Sequence, residues 1–333
     1  MMMSHEISGT PTRNAQYLGT LRPLLPAHVF RPYTRAYVDI LGHLALVIAG
    51  LLACKYLVAS AWWPLIGLAI SVGLSSLAFL AHDLTHRSIV RKSWLLYPTE
   101  LLLWALMFMP ATLYRRVHLA HHAHTNGDLD PDRRFLASET SRGARLAAAL
   151  LFPNKESRFS VLCRFYWAFF PIRNLIVMSY PGVSKPGFAT AKVMLPRHDK
   201  LWITFEVAFI AGLHAGLILF LHRAYWWAVL LPSAINSLVT SWYLFTNHGE
   251  HRIGDGTDIL GATTSVCVSR ICDRLHSNFS YHVEHHLFPS VNPHYYPMIS
   301  ELLQQHFPND YKRSPMRAVW KRLWQNSAVA EHT

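Results

Sequence analysis

Charge is scarce in this chain. Only 15% of its 333 residues are Asp, Glu, Lys or Arg, where an average soluble domain carries about a quarter. Acid is scarcer still: 19 Asp and Glu stand against 31 Lys and Arg, a formal net charge of +12. No basic tract is interleaved with aromatics on a polar surface, so nucleic acid is not expected as a partner. Cysteine is also sparse. Cys54, Cys163, Cys267 and Cys272 form no CxxC pair, which argues against a disulfide framework. Cys54 lies in an apolar run and reads as a small hydrophobe. The first 36 residues carry Pro11, Pro23, Pro26 and Pro32 but no apolar stretch of the signal-peptide kind. The first membrane helix is therefore expected to act as an uncleaved anchor. Nucleophile elbows and phosphate-cradling glycine loops are missing, which disfavours hydrolases and nucleotide enzymes. No repeat of solenoid period is present.

What the chain has is apolar length. Hydrophobic residues make up 51% of it, gathered in long runs between polar stretches rich in Arg and His, the pattern of a membrane protein. Four runs, 37–58, 62–81, 201–221 and 225–245, approach the ~20 residues that a helix needs to cross the hydrocarbon core. Trp62, Trp63, Trp202, Trp226, Trp227, Trp242 and Tyr243 mark their ends, as interfacial rings do. The runs pair into two hairpins with short outer turns at 59–61 and 222–224. Of the 31 Lys and Arg, 4 precede the first run, 17 lie in 82–200 and 8 in 247–333. Two hairpins would put those 29 on one side, leaving Lys55 and Arg223 near the other. The positive-inside rule then places both termini and the central loop in the cytoplasm.

A fifth run, 94–113, is long enough to span, but it contains Pro98, Glu100 and Pro110 and is flanked by Arg91–Lys92 and Arg115–Arg116. It is expected to lie in, or dip into, the cytoplasmic leaflet; a fifth true span is the alternative. The stretch 159–181, aromatic but broken by Arg164, Pro171 and Arg173, reads as a second interfacial segment. From Pro308 the chain becomes polar and basic, as a short helical tail.

Histidine is the informative residue. Of 21, 11 fall in four groups: His82 and His86; His118, His121 and His122 with His124; His248 and His251; His282, His285 and His286. On a helix, residues i, i+3 and i+4 share a face, so these spacings aim imidazoles at a common point. Asn247 and His251 are again four apart. The first group directly follows the second run and the third follows the fourth, so all four groups share a side if 94–113 does not cross. Nine clustered imidazoles exceed the needs of one ion and suffice for two metals with four or five nitrogens each. A nitrogen-rich set suits Fe, Zn, Cu or Ni rather than Ca or Mg. Asp83, Glu250 and Glu284 stand beside the clusters and could accept the second ring N–H of a ligand. His5, His28, His198, His222 and His332 read as surface or capping residues.

HDLTH at 82–86, HLAHH at 118–122, NHGEH at 247–251 and HVEHHLFP at 282–289 resemble the boxes of the membrane fatty-acid desaturase superfamily. The resemblance covers most of the chain. It implies an all-α integral membrane fold, with four transmembrane helices in two hairpins and a cytoplasmic helical cap holding a di-metal site. Residues 1–36 would be a cytoplasmic N-terminal segment and 37–333 the desaturase-like domain. Carried over, the ligands of two non-haem irons are His82, His86, His118, His121, His122, His251, His282, His285 and His286, with Asn247 acting through a water. The stretches 124–126 and 130–132 also resemble the segment after the second box in bacterial acyl desaturases.

The implied reaction is O2-dependent removal of hydrogen from an acyl chain presented as a lipid or thioester. No HPGG motif of a fused cytochrome b5 occurs, and His282 stands where front-end members usually carry Gln. Electrons are therefore expected from a separate ferredoxin or cytochrome b5-type donor. Membrane lipids are expected around the chain, and the bacterial inner membrane as its location. Hydroxylation or acetylenation, or oxidation of an alkane or carotenoid, would use the same boxes. A His-rich metal transporter is a rival from another class. It would need a path of ionisable groups through the spans, where the sequence offers Asp39, His43, Lys55, Glu206 and His214 without a paired acid ladder.

Overall fold

The computed structural model describes residues 12–127, 130, 195–251 and 256–326; the expected interfacial segment 159–181 lies outside them. Helix α1 (Arg13–Leu21) begins at Thr12, whose Oγ1 accepts from the Ala15 N–H at 3.3 Å. Four helical stretches have the length and apolarity of membrane spans: Ala36–Leu57, Ser60–Thr85, Arg197–Ala224 and Trp226–His248. The first is α2 (Ala36–Leu52) continued by a π turn, Ala53–Leu57, and the second is chiefly α3 (Trp63–Thr85). The 23 residues of α3 rise about 35 Å at 1.5 Å each, enough for a hydrocarbon core of about 30 Å.

Helix α3 is the central post. It packs against α2, against α4 (Ser93–Leu106) and against the second half of the chain. In its apolar window 67% of residues are buried, against 17% in the first span. The bare face of α2 exposes Val38, Leu41 and Ile48, a cost in water that disappears in lipid. Gly67 lets α3 approach the other half closely. A Cβ there would collide with the Trp227 carbonyl and press on Leu231.

The run 94–113 is not one helix. It breaks between α4 and α5 (Ala111–Ala123), which lie 96° apart. Phe108 takes φ 59° in the break and Pro110 caps α5. With 14 residues, α4 rises about 21 Å, too short to cross alone. The turn instead brings the end of α5 back to the end of α3. A bend buried like this leaves helix-end N–H and C=O groups to satisfy, and α6 (Arg197–Leu221) supplies the partners. The Glu206 carboxylate accepts from the Thr112 N–H at 3.0 and 3.2 Å and from its hydroxyl at 2.6 Å, at the start of α5. His214 Nε2–H donates to the Ala105 carbonyl at 3.0 Å near the end of α4, and its Nδ1 accepts from the Tyr225 hydroxyl at 2.9 Å. Glu100 pairs with Arg115, and Asp199 with Arg116 at 2.6 Å. Two ionisable groups of the spans are thus caps of a broken helix rather than steps of a transport path.

After α7 (Leu231–His248) the chain forms a cap from short elements: α8 (Ile259–Ala262), α9 (Arg270–Leu275), α10 (His282–Leu287), α11 (Tyr296–His306) and α12 (Met316–Asn326). Two three-residue strands, β1 (Ser265–Cys267) and β2 (Arg313–Pro315), pair in parallel and depart from the all-helical expectation. The apolar core of the cap joins Tyr17 and Leu21 of α1 to Val283 and Leu287 of α10 and Ile299 and Leu303 of α11. It seats α10 where α3, α5 and α7 end.

Candidate metal centre

The histidine boxes meet in two adjoining groups. His82, His86, His118, His122 and His285 form one; His121, His248, His282 and His286 form the other. Within each group, one ring nitrogen per residue lies within 4.8 Å of all the others. Each HxxHH box straddles both groups. Residues i and i+4 go to one and i+3 to the other, because i+3 and i+4 are separated by 100° around a helix of 3.6 residues per turn. Thus His118 and His122 join the first group while His121 joins the second, and His282 and His286 join the second while His285 joins the first. The rings of the two groups touch, with His122 stacked on His286 at 4.2 Å between centroids.

The chemistry of these contacts tests whether metals fit. In the first group the Nε2 of His118 lies 2.8 Å from that of His86 and 3.1 Å from that of His122, which is 3.0 Å from that of His285. In the second, His282 Nε2 lies 2.9 Å from that of His248 and 3.1 Å from that of His286. Several of these rings use the other nitrogen as a donor. His121 Nδ1–H donates to both Asp130 oxygens at 2.9 Å, and His82 Nδ1–H to Asp83 at 3.1 Å. His286 Nδ1 meets the Thr125 hydroxyl at 3.1 Å and His285 Nδ1 the Tyr296 hydroxyl at 3.0 Å. A neutral imidazole has one N–H. Where Nδ1 takes the N–H, as the partners of His82, His121, His285 and His286 allow, Nε2 is left with a bare lone pair that a cation can accept. At a metal–nitrogen distance of about 2.1 Å, two ligands at right angles stand about 3.0 Å apart, which is the spacing seen. Burial holds His282, His285 and His286 well below the usual histidine range, hence neutral and ready to donate a lone pair. Asn247 is fully buried, and neither atom of its side-chain amide has a protein partner among the described residues. Such a group suits a bound water.

Eight of the nine histidines expected as ligands are in the two groups. The ninth, His251, is outside both, and His248 occupies the corresponding place. Helix α7 ends at His248, so Asn247 and His251 do not share a helical face. Gly249, directly after His248, is a helix-stop signal. His251 Nε2 lies 2.6 Å from the Thr264 hydroxyl. Of the acids flagged beside the boxes, Asp83 does reach a ring nitrogen, and its other oxygen accepts from Ser277 at 2.6 Å. Glu250 instead pairs with Arg322 at 2.6 and 2.8 Å. Glu284 lies in a buried network, accepting from Ser265 and Tyr311, and desolvation pushes its carboxyl above the usual range. Asp130, the partner of His121, was not anticipated. It is returned to the box by a turn in which Asn126 takes φ 59° and donates its N–H to Asp130 at 2.7 Å.

Comparison with known proteins agrees with this geometry. The family model described as fatty acid desaturase matches residues 60–318. The sn-1 acyl-lipid omega-3 desaturase (ferredoxin) of Nostoc sp. (strain 36) is 24% identical, over 99% of this chain and 91% of the relative. Fatty acid desaturase 3 of Bos taurus is 25% identical over 80% of this chain, and that of Homo sapiens 24% over 87%. The chain spans 60% and 67% of these two mammalian relatives.

Proposed function

The chain belongs to the fatty acid desaturase family, whose members are membrane desaturase-type oxidoreductases, and we propose that it introduces a double bond into an acyl chain of a lipid or thioester. The observation that carries this reading is the pair of imidazole groups, five and four strong, built at the ends of apolar helices long enough to span a bilayer. In this reading two irons are held by His82, His86, His118, His122 and His285 and by His121, His248, His282 and His286, with Asn247 holding a water. Once reduced, such a di-iron centre supplies the oxidising power to remove hydrogen from an unactivated CH2 with O2. The balance is closed by two electrons and two protons from outside, so that O2 and the two hydrogens leave as two waters. A ferredoxin or cytochrome b5-type protein supplies the electrons; the name of the Nostoc relative favours a ferredoxin.

The chain's own part is to hold and to position. Asp130, Asp83, Thr125 and Tyr296 fix the orientation of His121, His82, His286 and His285 through Nδ1, so the Nε2 of each of these four rings stays aimed at its ion. Phe279 packs edge-on against His82 at 4.9 Å, and Tyr114 stacks on His118 at 5.2 Å. These rings give the centre apolar walls against which a chain from the bilayer is placed, and placement selects the carbons that react. With two hairpins, both termini and the boxes lie on the cytoplasmic side, as the charge distribution favours, and a bacterial inner membrane is the proposed setting.

The test is expression in a host of known lipids, with iron analysis of the purified protein and mass spectrometry of its fatty acids. Loss of two hydrogens with a located double bond is expected. A product that gains only an oxygen atom would replace desaturation with hydroxylation, and protein purified active without iron would end the di-iron reading.

A further inference from the structure

The proposed reaction draws electrons from outside the chain, and one part of the surface links cations to the metal centre. Residues 22–35, between α1 and α2, lie against residues 87–92, which come directly after the first box. The Tyr33 N–H donates to the Ser88 carbonyl at 2.9 Å, and the Arg91 guanidinium to the Phe30 carbonyl at 2.7 Å. The two segments carry Arg22, Arg31, Arg35, Arg87, Arg91 and Lys92, all exposed, and contain no acid. Among the described residues, none of the six makes an ion pair. The nearest acids in sequence are Asp39, one turn into α2, and Asp83, four residues before Arg87 and buried.

Aromatic rings sit among these cations and lead inward. Tyr33 lies parallel to the exposed ring of His294, with centroids 6.2 Å apart and planes 5° apart. His28 meets Tyr295 edge-on at 5.4 Å, and Tyr295 meets His294 at 5.3 Å. The next residue, Tyr296, is buried and places its hydroxyl 3.0 Å from Nδ1 of His285. Two residues of backbone and one hydrogen bond therefore separate an exposed imidazole from a histidine of the five-membered group. Arg87 adjoins His86 of the same group.

We propose that this rim is the docking surface for an acidic one-electron carrier protein, with electrons entering the five-histidine group past His294 and Tyr296. The inference rests on the desaturase reading. Six uncompensated cations attract an acidic partner and speed its encounter, in a manner weakened by salt. Cations at helix ends also suit anionic lipid headgroups. The rings leading from the rim to His285 favour the redox protein, since a headgroup has no use for them.

The test uses the full chain in nanodiscs of phosphatidylcholine, or with added phosphatidylglycerol, and an acidic [2Fe–2S] ferredoxin as probe. Two charge reversals are made, R31E/K92E and R22E/R35E, with R317E on α12 as a control. Each reversal should raise the Kd for ferredoxin about tenfold at low ionic strength and flatten its salt dependence. Iron content and turnover with a chemical reductant should stay at the wild-type level, and R317E should leave the Kd unchanged. Equal Kd values for the reversals and wild type would overturn the proposal. So would a loss confined to discs with phosphatidylglycerol, which would assign the rim to lipid. Ferredoxin binding is read without turnover. A chain that binds ferredoxin at the rim yet never desaturates under chemical reduction would sink the functional reading and leave the docking surface standing.

Discussion

His248 and His251 are three residues apart and have different surroundings. The Nε2 of His248 is 2.9 Å from that of His282 inside the four-histidine group, whereas that of His251 lies against the Thr264 hydroxyl. Loss of a ligand removes a donor that no neighbour replaces. His248→Ala is therefore expected to lose roughly one of two irons, and His251→Ala to keep both, as read by metal analysis of purified protein. Equal losses, or the reverse order, would restore His251 to the ligand set. The boxes were legible because HxxxH and HxxHH are dense in a residue that seldom clusters. His248 stands in the third cluster of the sequence, but whether it or His251 sits beside His282 depends on the helix stopping before Gly249. Asp130 was hidden. Its contact with His121 depends on an Asn126 turn in the left-handed region, and nothing in the local pattern states where the carboxylate ends up.

At the scale of elements, the broken pair α4–α5 does the most to locate the site. The bend places the second box beside the first, with His86 and His118 Nε2 2.8 Å apart, and α6 stabilises it by capping both helix ends. Glu206→Leu removes an acceptor from the Thr112 N–H and leaves it buried. The expected cost is about 1–3 kcal/mol, seen as a lower Tm in detergent with weakened metal retention, while Glu206→Gln keeps one acceptor oxygen and loses less. An unchanged Tm for Glu206→Leu would show that the cap is dispensable. From the sequence, Pro98, Glu100 and Pro110 marked the run 94–113 as unsuited to a straight crossing, but the 96° turn and its dependence on α6 were not readable. Glu206 and His214 are remote in sequence from the groups they cap.

Across the whole molecule, apolar faces and cationic ends divide the chain into a part for lipid and a part for water. The exposed leucines and valine of α2 have no protein covering them among the described residues, and the basic rim lies beyond its start. If the four spans form two hairpins, Ser60 and Glu301, both exposed, lie on opposite sides of the membrane. In a background with the four cysteines replaced, a membrane-impermeant thiol reagent added to intact bacterial cells should label Ser60→Cys only. After lysis it should also label Glu301→Cys. Labelling of Glu301→Cys in intact cells would place the cap outside and end the cytoplasmic assignment.

Composition and pattern alone determined that the chain is an apolar, helical, histidine-rich protein with four runs of membrane length and enough clustered nitrogen for two metals. Those are properties of neighbours in sequence, and helical periodicity reports neighbours well. The division of the histidines into five and four, the placement of His248 rather than His251 beside His282, the partners on Nδ1 and the sharp bend at 107–110 were decided by tertiary structure. The histidine groups, the Thr125–His286 contact and the caps that α6 places on the bend join residues far apart along the chain, and only packing of α3, α5, α7 and α10 at a common point sets the distances between the imidazoles.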